Sequence, residues 1–398
     1  MRSSAEIGVE LTRIAHSLTD VTALLAAVDE PIRVAPVDTD DVTPTTVAAV
    51  QSVLDRLTGQ LDLSTPRVVP DSACLWSAEL AVSDHIGLGA LADQAEALLS
   101  LPDGVFDQLT EQASRAARTA RRAGVWLRAS DGAPLRCYSS GSPSRPTVVL
   151  VPACGMPVGL IERWIQCLAT SFHVLTWESR GLFGTDEMFD QRGQDLARQA
   201  DDVFAMLDGF GVRRAHVMGL CGGAAIALAA AASPRIISVS LWHGDYELGD
   251  QAPKTAHQQD VAALMTLAGR DRSRAAALHN LFRKPATLAK LRRDVAHLQL
   301  YPYVSPELLY RYGRLNGAIM TTDCRPLLAA VTQPTLVVTS MLDTTAHPDG
   351  SVYAARQLLN ADLRLMPDGD HLAAFDAAPP LVELAQAFVT EHSAGGTP

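Results

Sequence analysis

The spacing of the hydrophobic residues changes near residue 124. Before that point, apolar side chains recur every three or four positions, first from Ile7 to Val28, which predicts amphipathic helices. Thr43 followed by Pro44 is typical of the start of a helix. The further helical patterns cover residues 44–57, 88–99 and 104–122. We therefore predict a helical amino-terminal domain over residues 1–124, without strands.

Short apolar runs take over from residue 125. Two of them flank the turn SDGAP, which predicts a hairpin. Later runs carry apolar side chains at consecutive positions and alternate with helical patterns: TVVLV, FHVLTW, AHVMGL, ISVSLW, TLVVTSML and DLRLM. Such strands are typical of a mostly parallel sheet that is covered by helices on both faces. We therefore predict an α/β domain over residues 125–398.

A helical segment of about residues 245–332 interrupts this alternation between two consecutive strands. An insertion at that point is predicted to form a cap over the carboxyl ends of the sheet. Residues 251–330 contain twelve basic and five acidic side chains, a net charge of +7, whereas the whole chain carries -11. A solvated helical surface explains part of this excess. The alternative is a docking surface for an acidic partner or a phosphate group.

The composition excludes several classes of protein. Hydrophobic residues make up 47% of the chain and charged residues 19%, which excludes a disordered chain. The net negative charge argues against nucleic acid as a partner. No segment has the apolar character of a signal peptide or a membrane span, so we expect a cytoplasmic protein that does not bind membranes. The six cysteines lack a Cys-Xaa-Xaa-Cys pair, and the eleven histidines lack paired ligand spacing, so no metal is predicted.

One short motif carries the predicted chemistry. The strand AHVM leads into Gly219-Leu220-Cys221-Gly222-Gly223, and a helix of small residues follows. This order matches a nucleophile elbow, in which the nucleophile sits on a tight turn between strand and helix. Its neighbours two positions before and after must lack bulk, and Gly219 and Gly223 meet that demand. The helix amino terminus favours the thiolate, so Cys221 is the candidate nucleophile.

A nucleophile of this kind requires an acid and a histidine later in the chain. Asp343 follows the strand PTLVVTSML, and His371 lies in the loop after the strand DLRLM. We predict that His371 accepts the thiol proton and that Asp343 orients its ring. Asp245, at the end of the preceding strand, is the alternative acid. Asp368 and Asp370 are less suitable because they share the loop of the histidine.

The backbone N–H groups of Gly222 and Cys154 are the predicted oxyanion hole. Gly222 directly follows the nucleophile, and Cys154 lies in the loop VPACGM after the strand TVVLV. The side chain of Cys154 is either a bystander or a neighbour of Cys221.

Residues 125–398 resemble the α/β-hydrolase superfamily. The resemblance rests on the elbow GLCGG, the turn WESRG at residues 177–181, and the placement of Asp343 and His371. A cysteine elbow combined with WESRG also resembles the acyltransferases and aminoacyltransferases of nonribosomal peptide and polyketide biosynthesis. Residues 1–124 lie outside the resemblance.

That narrower resemblance implies an acyl or aminoacyl transfer between the phosphopantetheine thiols of carrier proteins, through a thioester on Cys221. It implies acyl or peptidyl carrier proteins as partners and no bound cofactor. Exchange of one thioester for another is nearly balanced in energy, which suits a cysteine nucleophile. Arg292 and Arg293, in the basic insertion, are the candidate docking residues for a carrier or its phosphate.

Three other functions remain open. The first is a cysteine-dependent hydrolase of acyl thioesters or lactones, since dienelactone hydrolases also have a cysteine elbow. The second is a polyester synthase, although the insertion is less apolar than a polymer-handling enzyme would need. The third is a binding protein with a hydrolase fold and no activity, against which the intact set of Cys221, Asp343 and His371 argues.

Overall fold

The computed structural model describes residues 4–36 and 42–393. Before residue 124 the helices are α1 (Ser4–Asp20), α2 (Thr22–Ala26), α3 (Pro44–Leu61), α4 (Ser77–Ile86), α5 (Gly89–Ala92), α6 (Ala95–Leu99) and α7 (Asp103–Ala120). The strands of this part are β1 (Arg33–Val34) and β2 (Arg67–Val68).

After residue 124 the strands are β3 (Val125–Arg128), β4 (Pro134–Ser140), β5 (Thr147–Val151), β6 (His173–Trp177), β7 (Ala215–Leu220), β8 (Ile236–Trp242), β9 (Thr335–Ser340) and β10 (Ala361–Met366). The helices are α8 (Glu162–Ala169), α9 (Leu196–Gly209), α10 (Gly223–Ala230), α11 (Ala256–Ala268), α12 (Arg272–Phe282), α13 (Ala296–Gln299), α14 (Pro306–Thr321), α15 (Arg325–Ala330), α16 (Pro348–Gln357) and α17 (Pro379–Ser393). Short 3-10 helices lie at Val158–Ile161, Phe189–Gln191, Gly249–Gln251, Pro285–Lys290, Tyr301–Tyr303 and His371–Ala374.

The described residues group into two compact units. The first comprises the described part of Met1–Ala123 together with Ala276–Leu308, and the second comprises Gly124–Ala275 and the described part of Leu309–Pro398. Residues 276–308, which the sequence assigned to the cap, thus belong to the first unit. The predicted domain boundary between residues 124 and 125 stays a prediction.

The first unit is built mainly from amphipathic helices. The predicted apolar stripe is buried in α1, and α1 packs against α7. Val21 adopts a non-helical conformation and separates α1 from α2, so the stripe belongs to two helices. Thr43 caps α3, accepting a hydrogen bond from the N–H of Thr46, and this helix continues past the predicted end to Leu61. The segment 88–99 forms two short helices, α5 and α6, where one was predicted.

The expectation of no strands before residue 124 was wrong. β1 and β2 pair in parallel over two residues each. The pair is joined to α4, a helix that the sequence analysis missed, through Glu79. This buried carboxylate accepts hydrogen bonds from the backbone N–H and the guanidinium of Arg33. Strands this short lack an alternating apolar pattern, which is why the sequence did not reveal them.

The second unit contains an eight-stranded sheet in the order β10-β9-β8-β7-β5-β6-β4-β3. The predicted hairpin is confirmed, since β3 and β4 pair antiparallel across the turn SDGAP. β4 also pairs antiparallel with β6, and all other neighbours are parallel. Every residue of β5, β6, β7 and β9 is buried, as continuous apolar strands require when helices cover both faces.

The predicted α/β architecture is therefore confirmed. The carboxyl ends of β7, β8, β9 and β10 lie along one edge of the sheet, because these four neighbouring strands are parallel. The chain between β8 and β9 is largely helical, as predicted for the insertion. Within residues 4–36 and 42–393, no helix combines the length and the apolar character that crossing a bilayer requires.

Candidate active site

Cys221 occupies the tight turn between β7 and α10 and has φ of 53°, a left-handed conformation that is strained for a residue with a side chain. A Cβ atom on Gly219 would lie 2.5 Å from the carbonyl oxygen of Gly223. A Cβ atom on Gly223 would lie 2.4 Å from the carbonyl oxygen of Val151. Both glycines are therefore required by close backbone contacts. The geometry is that of a nucleophile elbow.

Asp343 and His371 come together at the carboxyl ends of β9 and β10. His371 Nδ1 donates a hydrogen bond of 2.8 Å to Asp343 Oδ2. The other carboxylate oxygen of Asp343 accepts the backbone N–H groups of Thr345 and Ala346, at 2.8 and 2.9 Å. Burial alone would raise the pKa of Asp343, but hydrogen bonds from two histidines outweigh it and hold the pKa well below its ordinary value.

The candidate nucleophile acts on the ring of His371. Burial favours the neutral ring, but the Cys221 sulfur and the Asp343 carboxylate outweigh this effect and raise the pKa of His371 to about 10. Nε2 is buried and makes no hydrogen bond of regular geometry with any described residue. Such bonds are often poorly aligned before substrate binds. The structure thus joins His371 and Asp343 by a hydrogen bond, and the Cys221 sulfur acts on the same ring; the catalytic roles of the three residues stay a prediction.

A second histidine on the same carboxylate was missed by the sequence analysis. His243 directly follows β8, is 1% exposed, and adopts a left-handed φ of 47°. Its Nδ1 donates to Asp343 Oδ2 at 3.0 Å, so both imidazoles bind the same oxygen. A histidine placed directly after a buried strand, at the sheet edge that carries the nucleophile, was the available signal.

The alternative acids occupy other environments. Asp245 Oδ1 accepts a hydrogen bond of 2.6 Å from Gln258 Nε2, and burial raises the pKa of Asp245. Asp370 Oδ1 accepts the backbone N–H of Ala373 and caps the short helix that begins with His371. The carbonyl oxygen of Asp368 accepts from the hydroxyl of Ser340. Among the described residues, Asp343 is the acid that binds the ring of His371.

The loop after β5 packs against the elbow, which is where the oxyanion hole was predicted. A Cβ on Gly223 would touch the carbonyl oxygens of Val151 and Pro152. The N–H groups of Gly222 and Cys154 donate no hydrogen bond within the described chain, and each adjoins this contact. Their role as an oxyanion hole stays a prediction.

Burial raises the pKa of the Cys154 thiol to about 12. This thiol is therefore protonated near neutral pH. The charge of Cys221 acts in the same direction on this pKa. Whether the Cys154 side chain is a bystander or a neighbour of Cys221 stays a prediction. Its protonated state leaves Cys221 as the candidate nucleophile.

Helix α14 lines the space beside the elbow. A Cβ on Gly222 would lie 3.7 Å from Asn316 Oδ1, and a Cβ on Gly155 would lie 2.7 Å from the ring of Tyr312. Asn316 Nδ2 donates to the Tyr312 hydroxyl at 3.2 Å. These two side chains, on one face of α14, are candidates for contacting a bound substrate.

Arg180, the arginine of the WESRG turn, is buried and binds two aspartates from other parts of the second unit. Arg180 is 3% exposed and donates from Nε to Asp202 at 2.8 Å and from Nη1 to Asp131 at 2.7 Å. These bonds join the turn after β6 to α9 and to the β3–β4 hairpin. Arg180 thus stabilises the turn after β6.

Arg292 and Arg293, the predicted docking residues, lie in the first unit. Arg292 pairs with Asp294 at 2.8 Å, and Arg293 lies 4.0 Å from Asp84 with most of its side chain exposed. Their docking role stays a prediction.

A metal ion would find one set of side chains among the described residues. His243, Asp343 and His371 offer ligand atoms within 4.8 Å of one another. Both Nδ1 atoms donate hydrogen bonds to the carboxylate, which suits a hydrogen-bonded catalytic acid and histidine.

The parallel sheet, the elbow and the histidine–aspartate pair define the second unit as an α/β-hydrolase fold. A relative described provisionally as the carbamate hydrolase RutD of Caulobacter sp. (strain K31) is 27% identical over 251 residues, which cover 61% of this chain and 89% of the relative. No family profile matches the chain.

Three solved structures illustrate the likeness. A hydrolase from Pseudomonas aeruginosa PA01 has a TM-score of 0.52 and 25% identity, covering 67% of this chain and 98% of its own. An enol-lactonase from Burkholderia xenovorans LB400 has a TM-score of 0.52 and 22% identity, covering 67% and 100%. An esterase from Exiguobacterium antarcticum has a TM-score of 0.54 and 18% identity, also covering 67% and 100%. All three structures share the α/β-hydrolase fold, and the relative at 27% identity and the hydrolase at 25% identity support the superfamily and an enzyme of that type.

Proposed function

We propose that the protein is a cysteine-dependent hydrolase that transfers the acyl group of an ester, thioester or lactone to Cys221 and then to water. The observation that carries this proposal is the cysteine on a strained elbow beside a histidine that is bound to a buried aspartate. The similarity to hydrolases, lactonases and esterases supports water as the final acceptor.

The reaction begins from the pair of Cys221 and His371, in which His371 Nε2 holds the proton near neutral pH. The Cys221 sulfur then attacks the substrate carbonyl carbon. The resulting oxyanion is stabilised by the N–H groups of Gly222 and Cys154. When the tetrahedral intermediate collapses, the bond to the leaving group breaks and His371 donates its proton to that group. A thioester on Cys221 remains.

The second half of the reaction releases the acyl group. His371 takes a proton from water, whose oxygen attacks the thioester carbonyl. The carbon–sulfur bond then breaks, and the proton stays on His371, so that the free acid is released and the original pair of Cys221 and His371 is restored. Throughout, Asp343 holds Nδ1 protonated, which leaves Nε2 available for both transfers.

A second candidate function is acyl or aminoacyl transfer between the phosphopantetheine thiols of carrier proteins. The specific observation in its favour is sulfur at the elbow, because a thioester enzyme exchanges its acyl group with a thiol at nearly balanced energy. Under this proposal Arg292 and Arg293 would contact the carrier, and the location would be cytoplasmic. The hydrolase proposal has the broader support.

The two candidates differ in what consumes the acyl-enzyme. The wild-type protein is mixed with a small acyl thioester, and intact mass is recorded over time with and without a second thiol. We expect an acyl adduct that decays in water alone. Decay only when the thiol is added would select the transferase, and absence of any adduct would reject both.

A further inference from the structure

The second unit contains an open groove whose lining does not include Cys221 and which neither candidate reaction uses. It encloses about 540 Å³ between the ends of α11 and α14 and the segment that precedes α9. Three arginines line it: Arg192, Arg270 and Arg314. Its size falls within the range of small-molecule sites, roughly 300–1,000 Å³.

Glycines create the floor of this groove. A Cβ on Gly313 would lie 2.5 Å from the backbone nitrogen of Gly269, so the end of α11 crosses α14 in direct backbone contact. Gly317 and Gly193 also line the groove and present no side chain to it. The absence of side chains leaves the space between the arginines open.

Two of the three arginines, Arg270 and Arg314, have no ion-pair partner among the described residues. Within the described chain, Arg270 makes no ion pair or side-chain hydrogen bond, and Arg314 donates only to the hydroxyl of Tyr310, at 3.3 Å. Arg192 has a distant partner, Asp186, with 3.6 Å between Nε and Oδ1. Its Nη1 is buried and has no hydrogen-bond partner among the described residues. A buried donor without a partner is costly and is usually satisfied by a ligand or by water.

One carboxylate, that of Asp195, also lines the groove. Its Oδ1 accepts the N–H of Arg198 and caps α9, so this acid is engaged by the helix. The lining residues alone therefore carry a net charge of +2, and Asp186, outside the lining, offsets part of the charge of Arg192. A phosphate monoester carries close to two negative charges near neutral pH, and arginine binds its oxygens in a bidentate manner.

We propose that this groove binds the phosphoryl group of a small phosphorylated molecule. The excess charge, the arginine donors and the open floor match that group better than a single carboxylate, which one arginine satisfies. The groove and the predicted oxyanion hole adjoin the same helix: Asn316 is directed to Gly222, and the neighbouring Gly317 lines the groove. The site does not depend on the proposed reaction at Cys221.

The test measures binding in the full-length Cys221→Ala protein, in which acyl transfer to Cys221 plays no part. Pyrophosphate, inorganic phosphate and citrate are titrated by calorimetry at low salt. The double variant Arg270→Gln/Arg314→Gln removes two groove charges. The matched control, Arg163→Gln/Arg356→Gln, removes two exposed arginines that do not line the groove.

We expect pyrophosphate to bind more tightly than citrate and the groove variant to weaken it at least about tenfold. The affinity of the control variant for pyrophosphate should stay within about twofold of the unaltered groove, because exposed charges outside the groove are screened by solvent and salt. Gly317→Gln provides a second variant, because a Cβ there meets Met265 at an ordinary 3.5 Å and the longer side chain fills the groove without changing its charge.

Gly317→Gln should also weaken pyrophosphate binding. The proposal is overturned if the protein with the unaltered groove binds neither phosphate nor pyrophosphate at millimolar concentration. It is also overturned if the groove variants bind pyrophosphate as tightly as the control does, or if citrate binds as tightly as pyrophosphate. If the wild-type protein binds pyrophosphate but forms no acyl-enzyme with a thioester, the reaction proposed at Cys221 is rejected and the phosphate site is retained.

Discussion

At the scale of single residues, the account rests on Asp343, which accepts four hydrogen bonds. Two come from the backbone and two from the Nδ1 atoms of His243 and His371. A carboxylate held in this way stays ionised, and its position fixes the orientation of His371. The sulfur of Cys221 also raises the pKa of the His371 ring.

The proton on His371 is the first testable consequence. The pKa of His371 is raised from its ordinary 6.5 to about 10 in the folded protein. The stabilisation due to this proton is present below the unfolded pKa and is lost as the pH rises through about 10. Cys221→Ala removes one cause, so the pKa should fall by about one unit or more. Nuclear magnetic resonance of the His371 ring measures it, and an unchanged pKa near 10 would contradict the pairing.

His243 gives a second prediction. His243→Gly and His243→Asn both tolerate the left-handed backbone, but only Asn keeps a side-chain donor. We expect the glycine variant to form the acyl-enzyme about tenfold more slowly, because Asp343 loses one donor, and the asparagine variant to retain more of the rate. Stopped-flow acylation kinetics compare them. If both variants form the acyl-enzyme at the wild-type rate, His243 does not position Asp343.

The predictability of these residues differs for a physical reason. Cys221 has a local signature, the flanking glycines, and Asp343 and His371 follow it in an order that the sheet imposes. His243 directly follows a buried strand, but its role arises from a contact with a residue one hundred positions away. Sequence order places side chains at a sheet edge but does not say which of them share an oxygen.

At the scale of elements, the elbow links β7, α10 and the loop after β5. The sequence predicted the strand, the turn and the helix, because buried strands and small helical residues leave clear patterns. The contact between Gly223 and the backbone of Val151 could not be read from it, since it joins segments distant in the chain.

Two glycine substitutions test the elbow. Gly223→Ala places a methyl group 2.4 Å from a backbone oxygen that cannot move freely, so we expect a loss of about 2 kcal/mol or more in the free energy of unfolding. Gly222→Ala is the matched control, because the nearest atoms to its Cβ are 3.7 Å away. Urea denaturation measures both. Equal stability of the two variants would refute the packing described for the elbow.

The buried Arg180 gives a further element-scale prediction. Arg180→Met leaves the buried Asp202 carboxyl without its partner, so that Asp202 either holds an uncompensated charge or takes up a proton, which should cost about 3 kcal/mol or more. The double variant Arg180→Met/Asp202→Leu should recover part of that loss, because Asp202 is removed with its partner while Asp131 still lacks Arg180. If the double variant is as unstable as the single one, the loss does not come from the unpaired Asp202. Chemical denaturation followed by circular dichroism distinguishes these outcomes.

At the scale of the whole molecule, composition excluded a disordered chain but did not identify the partners of the protein. The net charge of -11 conceals a basic segment at residues 251–330, which the sequence reveals. The groove, however, combines Arg270 and Arg314 of that segment with Arg192 from another part of the chain. Residues 276–308 likewise group with the amino-terminal helices. Such associations depend on tertiary packing, for which the sequence carries no local pattern.

The central claim is that Cys221 carries the acyl group, and one measurement tests it directly. The wild-type protein and Cys221→Ala are treated with the same acyl thioester, quenched in acid, digested, and analysed by peptide mass spectrometry. The account predicts an acyl adduct on the wild-type peptide that contains Cys221, and no adduct on any cysteine of the variant. An adduct of equal abundance on Cys154 or another residue of Cys221→Ala would contradict it.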